Sequence, residues 1–153
     1  MLELFIIPFK LLLAILLGGI IGIERERMGK PAGSRTYALI ALASTLFTVL
    51  SVEGFGTMAN SDPSRIASQI LVGLGFIGAG IIIFHRQNEQ IEGLTTAAAL
   101  WATAAIGMAI GINWYFEAVF ASILIFLILF IVRKVEFNKK KKNTLWDLFE
   151  KKK

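Results

Sequence analysis

The chain has 153 residues, of which 56% are hydrophobic, with a mean hydropathy of +0.69 and a net charge of +5. A water-soluble domain of this length cannot cover that much apolar surface, so lipid is the expected solvent and soluble fold classes are excluded. Cysteine is absent and histidine occurs once, which removes disulfide frameworks, CxxC metal sites and thiol nucleophiles.

A hydrocarbon core about 30 Å thick needs about 20 helical residues per crossing. Five segments answer to that rule, and the predicted fold is an all-α bundle of five transmembrane helices. The first runs from Leu4 to Ile23. Its clean apolar stretch begins only at Leu11, so Pro8 and Lys10 must join it. Proline is tolerated near a helix start, and the Lys10 ammonium is expected to snorkel to the near interface. The second helix is predicted over Thr36–Val52, the third over Ser64–Phe84, the fourth over Leu94–Ile112 and the fifth over Trp114–Val132. Only Asn113 is plainly polar between the last two, so they are expected to be antiparallel neighbours joined by a tight turn. Residues 1–133 form the expected membrane domain, and 134–153 a basic, amphipathic tail.

Orientation follows from the distribution of Lys and Arg near the span ends. The loop after the first helix holds Arg25, Arg27, Lys30 and Arg35, the third loop holds Arg86, and nine basic residues follow from Arg133 onward. Placing these segments in the cytoplasm accounts for fourteen of the sixteen basic residues. The expected topology therefore has the N-terminus outside and the C-terminus inside. In the tail, Leu145, Trp146, Leu148 and Phe149 alternate with lysine clusters, which suits anionic lipid rather than nucleic acid.

Close backbone approach drives helix association in lipid, so small residues spaced by four mark contact faces. Ala14, Gly18 and Gly22 have that register in the first helix, and Ala99, Thr103, Gly107 and Gly111 in the fourth. The third helix is denser, with Gly73, Gly75, Gly78 and Gly80, read as packing positions or as a route to exposed carbonyls. Gly73, Gly75 and Gly78 also spell GxGxxG. A dinucleotide site would need a preceding strand and an acid about 20 residues on, but Ala98 stands there.

Three polar segments punctuate the apolar runs. Gly22-Ile-Glu24-Arg25-Glu26-Arg27 leads to Gly29-Lys-Pro-Ala-Gly-Ser-Arg35-Thr36. Asp62-Pro-Ser-Arg65-Ile-Ala-Ser-Gln69 flows into the glycine run, and Glu92-Gly-Leu-Thr95-Thr96 opens the fourth helix. In order and spacing these segments resemble the MgtC/SapB family of bacterial inner-membrane proteins over about the first 130 residues. The resemblance implies a cytoplasmic-membrane protein linked to magnesium limitation, stress adaptation and, in pathogens, survival in host cells. Some relatives restrain ATP synthase or act on other membrane proteins such as transporters. Longer relatives carry an ACT-like C-terminal domain, which the twenty residues after the fifth helix are too few to form. This chain is similar to a short form.

Read physically, Asp62 is a helix N-cap ahead of Pro63. Arg65 and Gln69 lie four apart on one face that continues through Gly73, Phe76 and Gly80. A charged residue near the end of a span needs a partner or a watery vestibule, so Asp62, Arg65 and Gln69 are candidates for an outer polar pocket. Glu24, Arg25, Glu26, Arg27 and Arg35 form a cytoplasmic charged cluster, whose glutamates either hold arginines or offer oxygen ligands to a divalent cation such as Mg2+. Thr95 and Thr96 are a polar start to the fourth helix, as caps or interhelical donors. No resident cofactor is expected, and without a nucleophile–base pair or a ligand cluster the chain does not read as an enzyme. The favoured reading is a homodimeric regulatory or interaction protein; the alternative is a cation transporter or channel.

Overall fold

The structure is a computed structural model, and it describes residues 2–56, 62–85 and 90–131. Five helices account for most of it. α1 spans Leu2–Arg27, α2 Ser34–Val49, α3 Ser64–Ile81, α4 Leu94–Gly111 and α5 Tyr115–Ile131. Four of the helical segments are long and apolar enough to cross a membrane: Phe5–Arg27, Ser34–Phe55, Ser64–Ile81 and Leu94–Gly111. α5 is an apolar helix described over 17 residues, up to Ile131 where the described residues end.

α1 absorbs Pro8 and continues past the expected end at Ile23, through the four charged residues, to Arg27. Gly29 then stops it, with φ +64°. Its N–H bonds to the Glu26 carbonyl and the Lys30 N–H reaches back to Arg25, a Schellman closure that satisfies the last carbonyls. α4 ends in the same way. Asn113 takes the left-handed position (φ 68°), its N–H bonds to Ile110, and the Trp114 N–H reaches Ala109 at 2.8 Å. This is the tight turn expected between the last two helices.

α2 runs directly into a π-helical segment over Leu50–Phe55, whose wider turn changes the face on which following residues project. The Ser51 hydroxyl there donates to the Pro63 carbonyl, tying the segment to the start of α3. α3 ends three residues before its expected limit. Ile83–His85 instead pairs antiparallel with Gln90–Glu92, with Phe84 opposite Ile91. The apolar run Ile81–Phe84 reads as helix by hydropathy alone, yet extended pairing serves its backbone equally well.

α4 is the centre of the bundle. It packs on α2 and α3, and α2 packs on α1 most extensively of all. The core joins Ala14 and Ile21 of α1, Tyr37 and Ala41 of α2, Leu100, Ile106 and Ile110 of α4, and Ala118 and Leu129 of α5. Of α4's span 56% is buried, against 17% of α3's. α5 turns Ala118, Ser122 and Leu129 inward and leaves Phe116, Phe120, Ile123 and Ile128 outward.

Glycine decides which helices touch. A Cβ on Gly18 would fall 2.6 Å from the Tyr37 carbonyl, and one on Gly22 2.6 Å from the Ser34 Cα. On α4, a Cβ at Gly107 would strike the Ala41 carbonyl and one at Gly111 would lie 2.6 Å from the Thr48 side chain. Thr45 uses this proximity: its hydroxyl lies 2.9 Å from both the Ala41 carbonyl of its own helix and the Gly107 carbonyl across the interface, and shares its one proton between them. The four glycines of α3 behave differently. Gly73, Gly75 and Gly80 have nothing near, and only Gly78 meets a neighbour, Ala97, at 3.4 Å.

Candidate functional site

Two polar centres close the ends of the bundle. At the end holding Glu53, Lys10 is wholly buried. Its Nζ lies 2.7 Å from the Glu53 carboxylate and 3.0 Å from the Gly111 carbonyl. The expectation that Lys10 snorkels to water is therefore corrected. An ammonium deep between apolar helices needs an anion and acceptors close by, and the π-helical segment and the last turn of α4 supply both. The unpaired carbonyls at a helix C-terminus also attract positive charge. Glu53 remains 45% exposed, so the pair is closed on one side only.

The candidate outer residues lie near that end but do not form one pocket. Asp62 is exposed and accepts the Ser64 N–H at 2.9 Å and its hydroxyl at 2.7 Å, which caps α3. These bonds, with Arg65 nearby, hold the Asp62 carboxyl below its ordinary value. Arg65 is exposed, while Gln69 borders a mostly apolar groove of about 330 Å³ between α2 and α3. Gly73, Ile40, Phe47 and Leu74 line the same groove.

At the opposite end the expected charged cluster divides in two. Glu24 and Arg25 are buried, beside Tyr37 of α2 and Thr96 of α4. One terminal nitrogen of Arg25 donates to the Thr96 hydroxyl at 3.2 Å. Glu26, by contrast, is exposed and accepts the Ser34 N–H at 3.1 Å and its hydroxyl at 2.6 Å, so it caps α2 from the end of α1. Arg27, Arg35 and Thr95 are exposed.

Arg25 and Thr96 line a cavity of about 630 Å³ with Met28, Lys30, Glu92, Gly93 and Leu129. Among the described residues, no three His, Cys, Asp or Glu side chains gather as metal ligands. The expected tail at 134–153 and Arg86 lie outside the described residues.

Sequence reasoning missed the Lys10–Glu53 pair and the burial of Tyr37. The signal for the first was a lysine inside an apolar run with one acid, Glu53, at the end of the neighbouring span; nothing in the sequence marked the second.

The described residues thus define a polytopic α-helical membrane protein, closed at one end by an ion pair whose lysine is buried and at the other by a buried arginine centre. Comparison with known proteins places it further. The profile of the MgtC family matches residues 11–138, and the chain belongs to that family. It is 45% identical over 139 residues to an Escherichia coli K12 protein named putative magnesium transporter YhiD, covering 88% of this chain and 64% of that protein. Protein SapB of Bacillus subtilis is 41% identical, over 84% of this chain and 59% of its own length. Protein MgtC of Salmonella typhimurium LT2 is 42% identical over 76% of this chain and 48% of its own. The chain spans about half to two thirds of the length of these relatives. No solved structure matches it.

Proposed function

We propose that this protein is a regulatory or interaction protein of the bacterial inner membrane, acting on other membrane proteins under magnesium limitation and related stress. The observation that carries the reading is the contrast between glycine faces. Those of α1 and α4 are consumed inside the chain, whereas Gly73, Gly75 and Gly80 of α3 are open beside exposed Val72 and Phe76. A face of that kind admits the backbone of another helix at close range, whether from a second copy or from a different membrane protein. The family link to magnesium supports the physiological setting. In this reading the basic end faces the cytoplasm, the N-terminus lies outside, and the basic tail rests on anionic lipid.

Mild-detergent extraction after crosslinking from cysteines introduced at Gly75 or Phe76 tests it. A defined crosslinked species, either a dimer or a discrete hetero-complex, is the expected result. A chain that remains uncrosslinked at both positions in native membrane overturns the proposal.

A second reading, cation transport, is favoured by the name of the Escherichia coli relative. Conduction requires oxygen ligands along a wet route. The buried acid Glu24 and the half-exposed Glu53 stand at opposite ends; between them lie apolar side chains, close glycine contacts and the buried hydroxyls of Thr45, Thr48 and Thr103, each donating to a backbone carbonyl. Magnesium-driven uptake into proteoliposomes holding the purified chain would establish transport; flux equal to that of empty vesicles removes it.

A further inference from the structure

The cavity at the basic end is lined by a buried arginine. Arg25 is 95% buried (5% exposed), and a guanidinium cannot shed its charge by deprotonation. One terminal nitrogen donates to Thr96 and the guanidinium lies beside Tyr37, with Glu24 also buried there, while Nε has no hydrogen-bond partner among the described residues. The same cavity meets the first turn of α4. Gly93 precedes that helix with φ +91°, and among the described residues no side chain caps it, which leaves the N–H groups of Leu94, Thr95 and Thr96 to an acceptor. Their dipole is positive at this end. Thr96 accepts from Arg25 through its hydroxyl oxygen and keeps a proton to donate. Lys30 adds a cation at the rim, opposed by the exposed Glu92 carboxylate.

We infer that this cavity, between the α1–α2 turn, the start of α4 and the end of α5, binds a phosphate-bearing anion on Arg25, Thr96 and the free N–H groups of α4. Phosphate suits the donors because its several oxygens accept from a guanidinium and from helix N-terminal amides together. At about 630 Å³ the space holds a headgroup-sized ligand, within the usual range of small-molecule pockets, about 300–1,000 Å³. Ile128 and Leu129 form an apolar wall on the α5 side, and Ile91 and Leu94 one at the mouth, as an acyl-bearing ligand requires. A phospholipid headgroup and a soluble phosphate share this chemistry.

The test uses the full detergent-purified chain with the seven clustered tail lysines, Lys139 to Lys142 and Lys151 to Lys153, changed to glutamine to suppress tail–lipid contact. Thermal stability is followed against inorganic phosphate in one arm, and against short-chain phosphatidylglycerol or phosphatidylcholine in the other. Saturable stabilisation by phosphate alone identifies a soluble ligand. Saturation by phosphatidylglycerol, but not by phosphatidylcholine or phosphate, identifies the lipid. In either case Arg25→Gln weakens the half-saturating concentration on the order of tenfold or more, and Thr96→Val and Lys30→Gln weaken it less. If Arg25→Gln fails to fold, the two milder variants carry the comparison. No stabilisation in either arm, or saturation unaltered in all three variants, overturns the inference.

Discussion

Lys10 sits in an apolar helix 43 residues before Glu53 and 101 before Gly111, and the three meet at hydrogen-bond distance. Removing one member of a buried ion pair strands the other, which costs about 3–5 kcal/mol when burial is complete. Here the two members differ, because Lys10 is enclosed while Glu53 is 45% exposed. Glu53→Ala strands an enclosed ammonium and is expected to destabilise the protein by about 1–3 kcal/mol, less than a fully buried pair because water reaches the site. Lys10→Met leaves a carboxylate that water can solvate and is expected to cost less than about 1.5 kcal/mol. Denaturant unfolding in mixed micelles measures both, and the reverse ranking would show that Lys10 is not enclosed. Asp62 gives a pH prediction. Its carboxyl is lowered in the folded chain by its bonds to Ser64, so the cap is present above the unfolded carboxyl value and lost as pH falls through the folded one. The protection factor of the Ser64 amide, its exchange rate relative to an unstructured amide at the same pH, should fall on acidification below about pH 4, and Asp62→Ala should show the low protection already at neutral pH.

Among elements, α1, α3 and α4 are all rich in small residues, yet only α1 and α4, where these recur every four positions, spend them on neighbours in the chain. Gly107→Ala drives a methyl group into the Ala41 carbonyl and is expected to cost about 1–3 kcal/mol, as overpacking does. Gly75→Ala meets open space. In the isolated chain it is expected to be neutral or stabilising by up to about 1 kcal/mol, since alanine is the better helix former. Paired thermal melts compare them, and crosslinking yield in native membrane then reports whether the silent Gly75 variant disturbs association. The hairpin after α3 belongs at this scale too. Gly93 approaches the Ile81 carbonyl where a side chain could not stand, so the strand pair and the start of α4 are built against the end of α3.

Taken whole, the molecule divides its charge between two ends and leaves between them a core of alanine, leucine and isoleucine with buried serine and threonine hydroxyls. A topology with five crossings puts Lys30 and Lys153 on one face of the membrane. Cysteines at these two positions are expected to react with an impermeant reagent from the same side, and one at Asp62 from the other. Labelling of Lys30 and Lys153 from opposite sides would mean that α5 does not cross.

Hydropathy length and charge asymmetry are local properties of the chain, which is why the five helices, their approximate limits and the turn at Asn113 were legible from residue order. The capping role of Asp62 was legible for the same reason, since its partner Ser64 is two residues away. Only the tertiary structure decided that Lys10 is enclosed rather than snorkelled, that Glu26 caps a different helix from its own, and that Arg25 rather than Arg65 lines a cavity. Each of those outcomes depends on residues eight to a hundred positions apart, brought together by glycine contacts that glycine content alone does not foretell, since α3 is the most glycine-rich helix and the least buried of the four long spans. Spacing records which faces can accept a close neighbour; the assembled bundle determines which of them receive one.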